Sequence, residues 1–279
     1  MADAAGDTGP EVEWQRLKAH ELRAAAEADA VVMIPTAAIE QHGPHLPVMA
    51  DTRIGAEVAA RAARAAYADQ PTLVTPVVWS GLSEHHMPFG GTLTLDHETF
   101  FNVLRCLVTS LVRHGFRKVV ISNSHGGNII AIQHAADRLA SHPDTRAATV
   151  VATTYVAEAG DEIAAILEDQ PHIMHACEGE TSMLLALVPD LVDTSDLTGI
   201  ATERKSALTA GRASFRWRNY AAVSGNGLTG DPGRASADKG ERLLDAAAAA
   251  IARLVCDADT WAAAPDKRRA GTGGVDWRG

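Results

Sequence analysis

The chain predicts an α/β fold of three layers, an αβα sandwich with a mostly parallel central sheet. Three observations carry that prediction. Short apolar, β-branched runs recur along the 279 residues, of a length that suits buried strands. Longer Ala-rich stretches between them read as helices. No internal repeat and no linker interrupts this alternation, so one domain is expected over residues 1–262, followed by a loose tail over 263–279. A repeated βα pattern covers both faces of a parallel sheet.

The elements follow in order. Val31–Pro35 is a first strand and Thr52–Tyr67 an Ala-rich helix. Leu73–Val78 is a second strand. Asp96 suits the N-cap of a helix from His97 to His114, with Gly115 as its stop. Lys118–Ser122 is a third strand, Asn128–Ser141 a helix and Ala148–Thr154 a fourth strand. Glu180–Leu187 is helical and ends before Pro189. Ser236–Ala252 is a long helix after the Gly-rich turn Ser224–Gly230.

Composition excludes several classes. The net charge of −10 argues against a nucleic-acid partner, which wants a basic surface. No apolar run is long enough to span a membrane, and Met1–Pro10 has neither the basic nor the apolar region of a secretion signal. Three widely spaced cysteines, Cys106, Cys177 and Cys256, make no disulfide framework and fit a reducing cytoplasm.

Candidate chemistry falls in the loops after the strands, where open α/β sheets bind ligands. Glu40-Gln41-His42-Gly43-Pro44-His45, with Asp51 close behind, sets carboxylates beside imidazoles, the ligand set of a hydrolytic metal centre. Ser122–Asn128 places His125 at the same sheet edge, before two glycines that permit close backbone approach. A phosphate loop is the other reading of that segment, but it has no GxGxxG pattern and no P-loop lysine. His175–Ser182 carries Glu178 and Glu180, which suit a metal ligand and an acid/base group, or simply a helix N-terminus. Cys177 reads as a small buried thiol rather than a nucleophile. Gly81–Thr92 is the natural substrate loop; His85 and His86 in it suit either metal or pocket. Gly230–Ala235 is a turn in which Asp231 ties loops together. Trp79, Phe89, Phe215 and Trp217 are candidate pocket walls.

Taken together, Glu-Gln-His-Gly-Pro-His-Leu-Pro-x-x-x-Asp-Thr, Ser-His-Gly-Gly-Asn, His-Ala-x-Glu-x-Glu-Thr-Ser and Gly-Asp-Pro, in that order, resemble the creatininase family. That family includes creatinine amidohydrolases, formamide-cleaving deformylases of flavin and deazaflavin biosynthesis, and a mycofactocin-precursor peptidase. The resemblance spans residues 30–255. It implies two divalent metal ions, zinc, manganese or iron, at the sheet edge. Glu40 and His125 match ligands of one metal, His42 a ligand of the other, and Asp51 the bridging carboxylate. Creatininase itself takes a further Glu two residues after the His of its HGGN-like segment, where this chain has Gly127. Other members keep Gly there and have Glu at the place of Glu178, so Glu178 is expected as the fifth ligand. Glu180 and His175 are then the expected catalytic acid/base groups, with Ser83, Glu84, His85 and Asn128 as substrate contacts.

The implied activity is hydrolysis of an amide C–N bond, by a metal-bridging hydroxide, in a small cyclic-amide or formamide-type molecule. A mycofactocin-precursor type of peptidase and a non-catalytic metal-binding protein are the alternatives. Ala37-Ala38-Ile39, Ser124, Cys177 and the lack of an aromatic residue near Pro171–His175 depart from creatininase proper and point away from creatinine itself. Family resemblance also implies a homo-oligomer, a hexamer built from dimers.

Overall fold

A computed structural model describes residues 9–201, 217–268 and 274. Its sheet has four parallel strands in the order β2-β1-β3-β4: β1 Val31–Thr36, β2 Thr72–Val74, β3 Lys118–Asn123 and β4 Thr149–Thr154. Register is set by Val31 opposite Thr72 and Lys118, and by Lys118 opposite Thr149.

The helices fall on both faces. On one side lie α2 (Ala50–Ala66), α7 (Glu178–Leu187) and α8 (Ala237–Cys256), with the short α5 (Tyr155–Glu158) and α6 (Gly160–Ile166). On the other lie α1 (Ala19–Glu27), α3 (His97–Arg113) and α4 (Ile129–Ser141). A short α9 (Ala258–Trp261) follows α8. Alternate side chains of a strand point to opposite faces. Val31 and Met33 of β1 therefore enter the first core, and Val32 and Ile34 enter the second. Both faces being covered explains why β1 reads as a continuous apolar run rather than an alternating one.

Small residues let the first layer close up. Ala59, Ala62 and Ala63 of α2 are buried with Ala247 and Ala248 of α8. A Cβ on Gly240 would stand 2.0 Å from the Ser182 carbonyl oxygen, so α8 crosses α7 where only glycine fits. The second layer is built from bulkier groups, Phe100, Leu104 and Leu139 among them. Burying each such side chain contributes about 1.5–3 kcal/mol.

The expected caps of α3 are present. Asp96 Oδ1 accepts from Thr99 N at 2.7 Å, and Gly115 takes φ +99° at the exit. The second strand is shorter than expected because Pro76, which lacks an N–H, ends its ladder; only an isolated bridge, Thr36 to Val78, continues. α1 was not foreseen. Its N-terminus is closed by Glu21, whose carboxylate accepts from Lys18 N at 2.7 Å. α8 runs four residues past the expected Ala252. Of the expected tail, residues 263–268 are exposed and in no helix or strand, and most of the rest lies outside the described residues. Among the described residues, no helix is long and apolar enough to cross a membrane.

Candidate metal centre

The C-terminal ends of β1, β3 and β4 open onto one cavity of about 350 Å³. Glu40 and His42 leave the turn after β1, Asp51 stands in the first turn of α2, His125 follows β3, and Glu180 comes from the first turn of α7. All five are buried. Each imidazole is pinned from behind. His42 Nδ1 donates to the Glu40 carbonyl at 3.1 Å, and His125 Nε2 donates to the Leu82 carbonyl at 3.1 Å. The inner nitrogens therefore face the carboxylates. His125 Nδ1 lies 3.1 Å from Asp51 Oδ2 and 3.4 Å from Glu40 Oε1. His42 Nε2 lies 3.4 Å from Asp51 Oδ1 and 3.7 Å from Glu180 Oε2.

Those separations would fit a metal ion. Two ligand atoms each about 2.1 Å from a tetrahedral ion stand about 3.4 Å apart. Glu40 Oε2, His42 Nε2 and Asp51 Oδ2 are buried and make no hydrogen bond, although such atoms are normally satisfied. Glu40, His42 and Asp51 each bring a donor atom within 4.8 Å of the others, as do His42, His175 and Glu180. A divalent cation fits this donor set: three carboxylates converge, and among the described residues no lysine or arginine lines the cavity.

Electrostatics say the same. Burial lifts the Glu180 carboxyl to about 7, with Asp51 adding to the rise and His42 opposing it. Burial alone would lower His42, but Asp51, Glu180 and Glu40 outweigh it and hold the imidazole up at about 10. Burial opposes the same rise at His125, where Glu40 and Asp51 prevail. Asp51 stays well below its ordinary value despite burial, because both histidines face it. Without metal, protons on the inner nitrogens stand where cations would.

Several expectations are corrected by placement. Glu178 does not reach the cluster. Its carboxylate accepts from Glu168 N and Asp169 N and pairs with Lys239 Nζ, on the far side of the first turn of α7. Two residues on, Glu180 faces His42 instead, with Oε2 3.7 Å from Nε2 and accepting from Ala176 N at 2.6 Å. Gly127 cannot be replaced by a glutamate: a Cβ there would lie 2.3 Å from the Leu82 carbonyl and 2.4 Å from His125 Nε2.

Ser83 is fully buried behind His125, 3.2 Å from Nε2, and props the ring instead of touching the cavity. Glu84 is exposed and does not line the cavity. Asn128 locks loops: it accepts from Leu82 N and donates to the Ala37 carbonyl, entirely out of solvent. His85 and His175 both line the cavity.

Trp79 and Trp217 are 53% and 54% exposed and, like Phe89, lie off the cavity. Phe215 lies outside the described residues. Asp231 does serve a turn, accepting from Gly233 N. Burial and the nearby Glu180 push the Cys177 thiol up to about 12, which suits the reading of an inert thiol. Of the other wall residues, the sequence left His86 open between metal and pocket, and Tyr220 was missed. His86 is buried with Nε2 3.3 Å from Glu40 Oε1, and the Tyr220 ring lies 4.0 Å from it, centroid to centroid. The paired histidines at 85 and 86 were a signal; nothing marks Tyr220 in sequence.

Known proteins share this chain's family and fold. The creatininase family model, described as creatinine amidohydrolase, matches residues 15–255. A mycofactocin precursor peptide peptidase of Mycolicibacterium smegmatis is 34% identical over 219 residues, 77% of this chain and 79% of that protein. A creatinine amidohydrolase of Pseudomonas putida is 33% identical over 200 residues, 66% of this chain and 72% of that one. A solved structure described as "Creatininase Mn" superposes with a TM-score of 0.72 at 28% identity, over 88% of this chain and 98% of that chain.

Proposed function

The chain belongs to the creatininase family, and from that premise we propose that it is a dinuclear metal-dependent amidohydrolase. Glu40, Asp51 and His125 would hold one divalent ion and His42, Asp51 and Glu180 the other, with Asp51 between them. The observation that carries this reading is the set of buried donor atoms without hydrogen-bond partners, Glu40 Oε2, His42 Nε2 and Asp51 Oδ2. Such a pair of ions, when bound, acidifies a water and polarises the scissile carbonyl.

The chain's own residues supply the rest. His175 Nε2 donates to the Gln41 carbonyl at 2.7 Å, so its Nδ1 is left as an open base 3.5 Å from Glu40 Oε1. Burial and the neighbouring His42 hold His175 well below its ordinary value, hence neutral. It is placed to move a proton from the attacking water to the leaving nitrogen. Ile129, Val156, Ile173 and Met174 form an apolar wall beside the donor groups and exclude bulk water from the reacting end.

The substrate reading shifts from the one the sequence suggests. Among the described residues the aromatic groups on the cavity wall are Tyr155, Tyr220 and histidines, with no tryptophan. The cavity rim at Gly126 and His172 is exposed, which admits a longer molecule. The end of a short peptide is therefore the favoured substrate. A small cyclic or formyl amide remains the second reading, because a cavity of about 350 Å³ is of small-ligand size. The test is hydrolysis of a panel of short peptides, creatinine and formamides by protein loaded with manganese or zinc. Peptide cleavage abolished by chelation supports the favoured reading. Turnover of formyl or cyclic amides alone selects the second. No metal-dependent hydrolysis of any amide overturns both.

A further inference from the structure

Gln41 lies between the residues assigned to the two metals, yet its side chain turns away from them and is fully engaged. Gly43 N donates to Gln41 Oε1 at 2.9 Å, which fixes the orientation of the amide. Its nitrogen then has two hydrogens. One goes to the Gly227 carbonyl at 2.7 Å and the other to His86 Nδ1 at 2.8 Å. His175 Nε2 is a more distant 3.4 Å from the same nitrogen and is already committed to the Gln41 carbonyl.

The consequence for His86 is strict. Its Nδ1 accepts, so the ring is neutral and its hydrogen sits on Nε2. An imidazolium, or the other tautomer, would set two donors 2.8 Å apart. The Nε2–H faces Glu40 Oε1 at 3.3 Å. Glu40 Oε2 is left without a hydrogen bond.

We propose that Gln41 is a positioning residue that sets histidine tautomers: its side-chain amide holds His86 as the Nε2–H form, and its main-chain carbonyl holds His175 as the Nε2–H form. The two neutral rings thereby present opposite chemistry to one carboxylate oxygen, an N–H from His86 and a lone pair from His175. The His86 hydrogen points at Glu40 Oε1, the oxygen that also faces His125 Nδ1 at 3.4 Å and His175 Nδ1 at 3.5 Å, and so fixes the orientation of that carboxylate. The bearing of that orientation on metal binding rests on the proposed metal centre; the tautomer assignment does not.

The test is ¹⁵N NMR of the histidine rings in metal-free protein, wild type against Gln41→Met. In wild type, His86 and His175 should each show a protonated Nε2 and an unprotonated Nδ1. In Gln41→Met the His86 signature should move to the Nδ1–H form or a mixture, while His175, held by the main chain, should not change. His175 thus reports whether the variant has kept its local fold, and His86→Phe serves as a second probe if it has not. Apparent affinity for manganese should fall about 10–100-fold in Gln41→Met, the usual cost of losing a residue that orients a ligand. A wild-type His86 carrying hydrogen on Nδ1, or a His86 signature unmoved by Gln41→Met, overturns the tautomer assignment. A tautomer change with unaltered manganese affinity overturns only the link to Glu40.

Discussion

Glu178→Gln separates the two carboxylates of α7. Glu178 is fully buried and carries three partners: Glu168 N at 3.1 Å, Asp169 N at 3.0 Å and the ammonium of Lys239, itself 5% exposed. Glutamine keeps the shape and one accepting oxygen, but turns an NH₂ toward an N–H or the ammonium. One charge-assisted bond is lost, about 1.5–3 kcal/mol, and one donor is left unmatched, about 1 kcal/mol more. Breaking a buried ion pair usually costs about 3–5 kcal/mol. The lower end applies, because Lys239 keeps Glu168 Oε1 at 2.9 Å and the Arg234 carbonyl at 2.8 Å. The expected loss is therefore about 3 kcal/mol. At about 2–4 °C per kcal/mol for a chain of this size, Tm should fall roughly 6–12 °C. Thermal unfolding measures the first effect and metal content per chain a second: bound metal should be unchanged in the folded variant. A variant of wild-type stability that has lost a metal would show that Glu178 is a ligand and that its place beside Lys239 is wrong.

Glu180→Gln should do the reverse, lowering bound metal from about two ions to one while leaving the metal-free chain at least as stable, since it removes one of three converging carboxylates; metal analysis and urea unfolding check both. Gly127→Ala should displace His125 and weaken metal binding, because the new Cβ collides with His125 Nε2 and the Leu82 carbonyl; metal titration measures it. Asn128→Ala should cost about 2–3 kcal/mol by leaving Leu82 N and the Ala37 carbonyl without partners, an effect that urea unfolding reads.

Glu180 and His42 each give the metal-free chain stability that is lost as pH rises, opposed below pH 6.5 by His45, His86 and His175, which burial holds below their ordinary value. Glu180 is raised to about 7 on folding, so the folded state holds a proton that the unfolded chain has released, and its contribution is lost as pH rises from about 4.5 to 7. His42, raised to about 10, adds stability that is present below its unfolded value of 6.5 and is lost as pH climbs to 10. Metal ions replace these protons, so the Tm difference between metal-loaded and chelated protein should widen between pH 5 and 8. A difference that is constant or narrows would contradict the charge arrangement.

Much of this was legible in the residues. Strands buried on both faces announce themselves as continuous apolar runs, which is how Val31–Pro35 and Lys118–Ser122 were found. Glu40, His42, Asp51 and His125 stand out because carboxylates and imidazoles recur just after such runs, and the structure brings the four together. What stayed hidden depends on direction rather than type. Glu178 and Glu180 are chemically alike, and only the helical turn decides that one meets Lys239, 61 positions away, and the other meets His42. Ser83 and Asn128 are polar residues in a ligand-rich loop, yet both spend their hydrogen bonds on holding loops together. Tyr220 reaches the cavity from a segment with no strand pattern at all.

Anomalous diffraction from crystals grown with manganese tests the central claim most directly. The account predicts two peaks in the cavity, one against Glu40 and His125, the other against His42 and Glu180, with Asp51 touching both. A single peak, or a peak coordinated by Glu178 in place of Glu180, would contradict it.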